Sequence, residues 1–133
     1  MSRDFKKLKI FHMSYNFLLE IYAMLDSFPD YELKNMFSQL QRAATSCVLN
    51  IVEGSANRSN KVFLNHLQYT YGSSREVEVL LMLALDLNYI DEDVFNSLML
   101  KLEELKAGVY SFMKRVDEEI KNKKENYYFN YSR

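Results

Sequence analysis

The sequence predicts an all-α protein, an antiparallel up-and-down four-helix bundle. The 133 residues include only three glycines and one proline, and 48% are hydrophobic. So few chain breakers leave little room for the tight turns of an all-β fold. In four long stretches the apolar residues recur at alternating three- and four-residue spacing, which lines them along one stripe of a helix. The length suits one domain. Residues 1–121 are expected to form the bundle, and residues 122–133 a C-terminal tail outside the pattern, flexible or packed on a neighbouring subunit.

The first helix is expected over residues 5–27. Leu8, Phe11, Tyr15, Leu18, Tyr22 and Leu25 form one stripe, and Ile10, Met13, Phe17, Ile21 and Phe28 a second beside it. A monomeric bundle needs one stripe, so the surplus points to self-association. Pro29 ends this helix and Asp30 is placed to cap the next. Leu33, Phe37, Leu40, Ala44, Cys47 and Ile51 carry the second helix to Gly54, where a left-handed C-terminal cap is expected. After the polar connection Ser55-Ala-Asn-Arg-Ser-Asn60, Ser59 is the N-cap of a third helix with Phe63, Leu67, Thr70, Ser74, Val77, Leu81 and Ala84 inside. Its small run Gly72-Ser73-Ser74 is expected to face Ala43 and Ala44 in a close helix pair. Asp91 caps the fourth helix, with Ile90 and Phe95 spaced as a hydrophobic staple. Leu98, Leu102, Leu105, Val109, Phe112 and Val116 form its stripe. Short links make the four helices alternate in direction.

Seventeen basic and 18 acidic residues give a net charge of −1, so bulk charge attracts neither nucleic acid nor an anionic membrane. The opening run MSRDFKKLKIF lacks the features of a signal peptide, and no run approaches the roughly 20 apolar residues that span a bilayer. The single cysteine, Cys47, excludes an intrachain disulfide and suits a reducing compartment. A cytoplasmic protein with no membrane partner is expected.

The run Phe28-Pro29, Arg42-Ala43-Ala44, Ser46, Asn50-Ile51, Glu53-Gly54 and Arg58-Ser59 is the most characteristic part of the chain. It continues through Gly72-Ser73, Glu76, Glu78, Asp86-Leu87 and Tyr89-Ile90. Together these residues resemble the four helix bundle protein family, also called the 23S rRNA intervening sequence protein or S23 family. Gln41, Ala56-Asn57 and Val62 depart from its pattern, which has a second arginine, a Gly-Arg-Arg loop and a glutamate there. The resemblance implies an up-down bundle that assembles into a ring-like homopentamer. It also implies a non-enzymatic scaffold associated with RNA or with a nucleic-acid-handling protein.

Arg42, Asn50, Glu53, Ser73 and Glu76 are the polar residues this resemblance marks. They are read as a structural network: Arg42 reaching Ser73 or Glu76, Asn50 meeting His66, and Glu53 accepting from N–H groups of the following loop. Lys6, Lys7, Lys9, Lys34 and Arg58 are the candidates for contact with nucleic acid or a partner. No catalytic residue, metal site or cofactor is expected. His12 and His66 belong to no metal signature, and Cys47 sits on a core stripe as a small hydrophobe. The enzymatic alternative is a HEPN-like RNA-cleaving protein, which pairs an arginine and a histidine on one helix. Arg58 and His66 miss both its spacing and its placement. The tail mixes lysines with Tyr127, Tyr128, Phe129 and Tyr131, a combination that suits base stacking, a neighbouring subunit or a loose end.

Overall fold

The computed structural model describes the backbone of residues 3–131 and the side chains of residues 3–124. Among these, four helices pack as a bundle: α1 (Lys9–Ala23), α2 (Met36–Ser55), α3 (Asn60–Asp86) and α4 (Glu92–Tyr131). The all-α, bundle-like expectation is met. Single 3-10 turns at Phe5–Lys7, Leu25–Ser27 and Asp30–Glu32 flank α1 and lead into α2.

Short links carry their own chemistry. The Ser59 hydroxyl accepts from the Val62 N–H at 3.4 Å, and the Asp91 carboxylate accepts from the Val94 N–H at 2.8 Å, so both expected caps form. α3 ends in a reverse turn with Asn88 at φ 62°, where the Tyr89 N–H reaches the Ala84 carbonyl and the Asn88 N–H that of Leu85. A short polar side chain tolerates that left-handed position better than most. Asp30 does not cap α2. It opens the 3-10 turn, and α2 starts only at Met36, after Asn35 has turned its side chain to Glu32 at 2.9 Å. The expected tail from residue 122 instead continues α4 as helical backbone to Tyr131. Its Lys, Glu and Asn run loses apolar periodicity, yet it contains no Gly or Pro to stop a helix. The aromatic side chains named there, and the last two residues, lie outside those described.

The core has two apolar clusters separated by a polar waist. The lower cluster gathers Phe17, Ile21, Phe37, Leu40, Leu81 and Leu102, and the upper one Ile10, Ile51, Phe63, Leu67, Leu105 and Val109. Between them lie the buried Ser14, Cys47, Thr70 and Ser74. Each is satisfied by backbone. Thr70 Oγ1 donates to the Cys47 carbonyl at 3.1 Å, and the Cys47 thiol donates to the Thr70 carbonyl at 3.6 Å. Ser14 and Ser74 bond back to Phe11 and Tyr71 on their own helices. Burying hydroxyls without such acceptors would cost about 1–3 kcal/mol each.

α1 turns its second stripe inward. Ile10, Phe17 and Ile21 are buried, while Tyr15, Tyr22 and Leu25 of the first stripe are more than 40% exposed. Two sequence expectations about glycines also fail. Gly54 is not a left-handed cap; it lies within α2, where a Cβ would come 2.7 Å from His66 Cβ and 2.9 Å from Phe63. Gly72 is not at the helix contact: a Cβ there would meet nothing within 4 Å. Small residues do meet in the α2–α3 seam, but at Ser46 with Ser73 and at Gly54. Gly54→Ala is expected to lower stability by about 1–3 kcal/mol, whereas Gly72→Ala raises it by up to about 1 kcal/mol. Urea denaturation of the two variants checks this, and equal effects would remove close approach as the reason for Gly54.

Candidate functional site

The α2–α3 seam brings together part of the polar set expected from sequence. Asn50 Nδ2 donates to the Ser46 carbonyl at 3.0 Å, which fixes the amide so that its oxygen faces His66. His66 Nδ1 lies 2.9 Å from that oxygen and therefore carries the proton. Ser73 Oγ donates to Ser46 Oγ at 3.0 Å, closing a chain from α3 to α2 and back. Arg42, Glu53 and Glu76 are not in it. All three are exposed, and no hydrogen bond joins them to the seam among the described residues. Arg42 and Glu53 line the outer groove of α2 with Thr45 and Leu49. The loop N–H groups that Glu53 was expected to bind are taken otherwise: Asn57 by the Gly54 carbonyl at 3.1 Å, Ser59 by Asn57 Oδ1 at 2.9 Å. A loop that satisfies itself has no use for the carboxylate.

The expected contact residues split between the two ends of the bundle. At the upper end the Arg3 N–H bonds the Ser55 carbonyl at 2.8 Å, and the Arg3 guanidinium bonds Asn60 at 2.6 Å and covers the Phe63 ring. This ties the chain start to the α2–α3 connection. Lys7 and Lys9 line a groove of about 890 Å³ between the start of α1 and α4, together with Met13, Glu104 and Arg115. Arg58 lines a separate cleft of about 470 Å³ with Lys61, Lys123 and Lys124. Lys6 is exposed on the first turn, its carbonyl accepting from His12 Nε2 at 2.5 Å. Lys34 alone lies at the lower end, in the turn before α2.

The lower end is acidic. Asp26 and Asp30 flank the α1–α2 link, and Asp86, Asp91, Glu92 and Asp93 the α3–α4 link. The two links meet where Tyr89 donates to the buried Glu32 at 3.0 Å and lies 3.3 Å from the Tyr31 hydroxyl. The Tyr31 hydrogen bond, then burial and Glu32, hold the Tyr89 hydroxyl above its ordinary value. Lys61 and Arg115 were passed over in the sequence, and Lys123 and Lys124 were read there only as part of the tail that mixes lysines with aromatics. The signal was available: an antiparallel bundle sets the α2–α3 connection beside the end of the last helix.

Along the sides, Lys101 pairs with Glu20 between α4 and α1. Lys106 bridges to Glu78 of α3 at 2.8 Å and to Glu103 at 3.2 Å, the Glu78 bond holding its ammonium above the usual lysine value. Cys47 is 2% exposed, and burial pushes its thiol from 9.0 up to about 12, the Glu76 charge adding to the rise. A thiol held neutral this way is a poor nucleophile. Among the described residues, no group of three His, Cys, Asp or Glu side chains is placed to hold a metal ion, and no helix is long and apolar enough to cross a membrane. His66 sits in the seam and Arg58 at the upper cleft, in separate places.

Residues 6–111 match the family model described as 23S rRNA-intervening sequence protein. The chain is also similar to a crystal structure of a protein of unknown function from the S23 ribosomal protein family of Bacteroides thetaiotaomicron. The two share 25% identity and a TM-score of 0.73 over 79% of this chain and 95% of that one. Among curated proteins none is significantly similar to it.

Two outcomes follow from the seam. Asn50→Ala is expected to cost about 1–2 kcal/mol, because Ser46 and His66 lose a shared partner. Glu53→Ala should stay within about 0.5 kcal/mol of the parent; thermal melts of both variants check the contrast. For Cys47 the raised folded value means that this thiol's contribution to stability does not change with pH below about 9. It falls as pH climbs from there towards about 12, because only the unfolded chain ionises in that window. Iodoacetamide at about pH 8 should therefore leave the native thiol unlabelled and modify it promptly in urea.

Proposed function

The chain belongs to the 23S rRNA-intervening sequence protein family, and on that premise we propose that it is a non-enzymatic, self-associating interaction scaffold whose partner is RNA or an RNA-handling protein. The observation that carries the reading is the outer face of α1 and the turn that follows it, where Tyr15, Leu19, Tyr22 and Leu25 are 42 to 53% exposed. These residues recur at helical spacing and stand beside a core stripe that is already complete. An isolated subunit keeps that surface wet. Removing the exposed portions from water stabilises an assembly by on the order of 1 kcal/mol per side chain.

The assembly this reading expects is the ring-like homopentamer that the family resemblance implies, with the bundle ends left free to meet a partner. The fate of the chemically versatile side chains supports a role without catalysis. His66 is held in the seam by Asn50, and Cys47 is buried as a neutral thiol. The HEPN-like alternative lacks support, because Arg58 lines the upper cleft while His66 sits against Asn50 in the seam.

Light scattering of the full chain is expected to give a mass of several subunits. Leu19→Glu combined with Tyr22→Glu should reduce it to one subunit while the far-ultraviolet circular dichroism stays helical. A parent protein that is already monomeric at micromolar concentration would sink the self-association.

A further inference from the structure

The net charge of −1 conceals an axial separation. The lower end carries Asp26, Asp30, Asp86, Asp91, Glu92 and Asp93 against Lys34. The upper end collects Arg58 and Lys61 from the α2–α3 connection and Lys123 and Lys124 from α4 around the 470 Å³ cleft. Nothing in the packing of the bundle needs four cations around one recess, and their mutual repulsion opposes it.

Two further features add to the positive potential there. Asn60 and Lys61 line the cleft and open α3, so their N–H groups are among those a helix leaves without an internal acceptor. No acidic residue occupies the first turn of α3, whereas α4 opens with Glu92 and Asp93. Glu119, the neighbouring carboxylate, is engaged by Asn60 at 3.2 Å and by Arg3 at 3.8 Å. The side chain of Ile120 gives the cleft an apolar wall against which a base or sugar can rest.

We propose that this cleft binds the phosphodiester backbone of a single-stranded nucleic acid, with Arg58, Lys61, Lys123 and Lys124 as the phosphate contacts. A recess between a helix start and a passing helix admits one strand. A duplex is itself a convex cylinder and reaches only the rim. Phosphate contacts position a strand without reading its sequence, so the site discriminates by charge and shape. The inference deepens the scaffold reading by naming the partner's chemistry, and it rests on that reading for the surface being one that binds without reacting.

The test is fluorescence anisotropy of a labelled oligouridylate with the full chain in about 50 mM and about 200 mM salt. With about four phosphates neutralised, a single strand is expected to bind roughly 50-fold more weakly at the higher salt. Lys61→Gln combined with Lys124→Gln should weaken binding at low salt and reduce the salt-driven fall to about sevenfold. Lys34→Gln should change neither, and oligodeoxythymidylate should bind about as well as its RNA counterpart. Absent or salt-insensitive binding overturns the proposal, as does an unaffected double variant or a strong preference for RNA. Light scattering on the same samples separates the two readings. A monomer that binds oligouridylate through the cleft defeats the self-association alone, and an oligomer that ignores it defeats this site alone. If mass instead grows at low salt through Lys61 and Lys124 without oligonucleotide binding, the basic end meets the acidic end of another copy and the proposal falls.

Discussion

The contact between α2 and α3 sets the geometry of the rest of the molecule. Their side chains are small where the helices meet: Gly54 lets His66 and Phe63 approach, and Ser46 meets Ser73. The reciprocal bonds of Cys47 and Thr70 then fix both axial register and rotation, because each side chain must reach the other helix's carbonyl. Once those rotations are set, Leu40 and Leu81 point into the core, and Arg42, Glu53 and Glu76 are turned to solvent. The same register brings the α2–α3 connection to the level of Glu119 and Ile120 on α4.

A purely apolar seam would permit sliding by a helical turn, since leucine and isoleucine stripes repeat. The polar waist removes that freedom. A displaced Thr70 or Ser74 would sit unbonded in a dry interior at a cost of about 1–3 kcal/mol per group. Ser14 holds the same level on α1, so the two apolar clusters are kept distinct, one towards each end. Ion pairs on the flanks, Lys106 with Glu78 and Lys101 with Glu20, supplement this registration from the half-exposed surface. Pairs in such settings contribute little on their own.

The proposed function rests on what the packing leaves outside. A bundle needs one face of α1, and the chain supplies apolar residues on two. The ends, where helices stop and loops turn, collect opposite charges. The flanks thus suit contacts between copies, while the ends suit contacts with something charged. On the proposed reading, this spatial separation would let copies associate without covering the charged ends.

The sequence by itself determined the helical architecture, the caps at Ser59 and Asp91, and the core stripes of α2, α3 and α4, because each depends on local spacing and a few capping atoms. It also carried the family resemblance, which the match over residues 6–111 bears out. It did not determine which stripe of α1 faces inward, since both satisfy the same periodicity and only the positions of α2 and α4 choose between them. It misplaced Gly54 and Gly72, because close approach and a capping turn leave the same residue type in the sequence. Asn50 and His66 were legible as a pair, whereas Arg42, Glu53 and Glu76 were not legible as solvent-facing until the helix rotations were known. The cleft of Arg58, Lys61, Lys123 and Lys124 joins residues some sixty positions apart. Only the antiparallel return of α4 along α3 decides that their charges add.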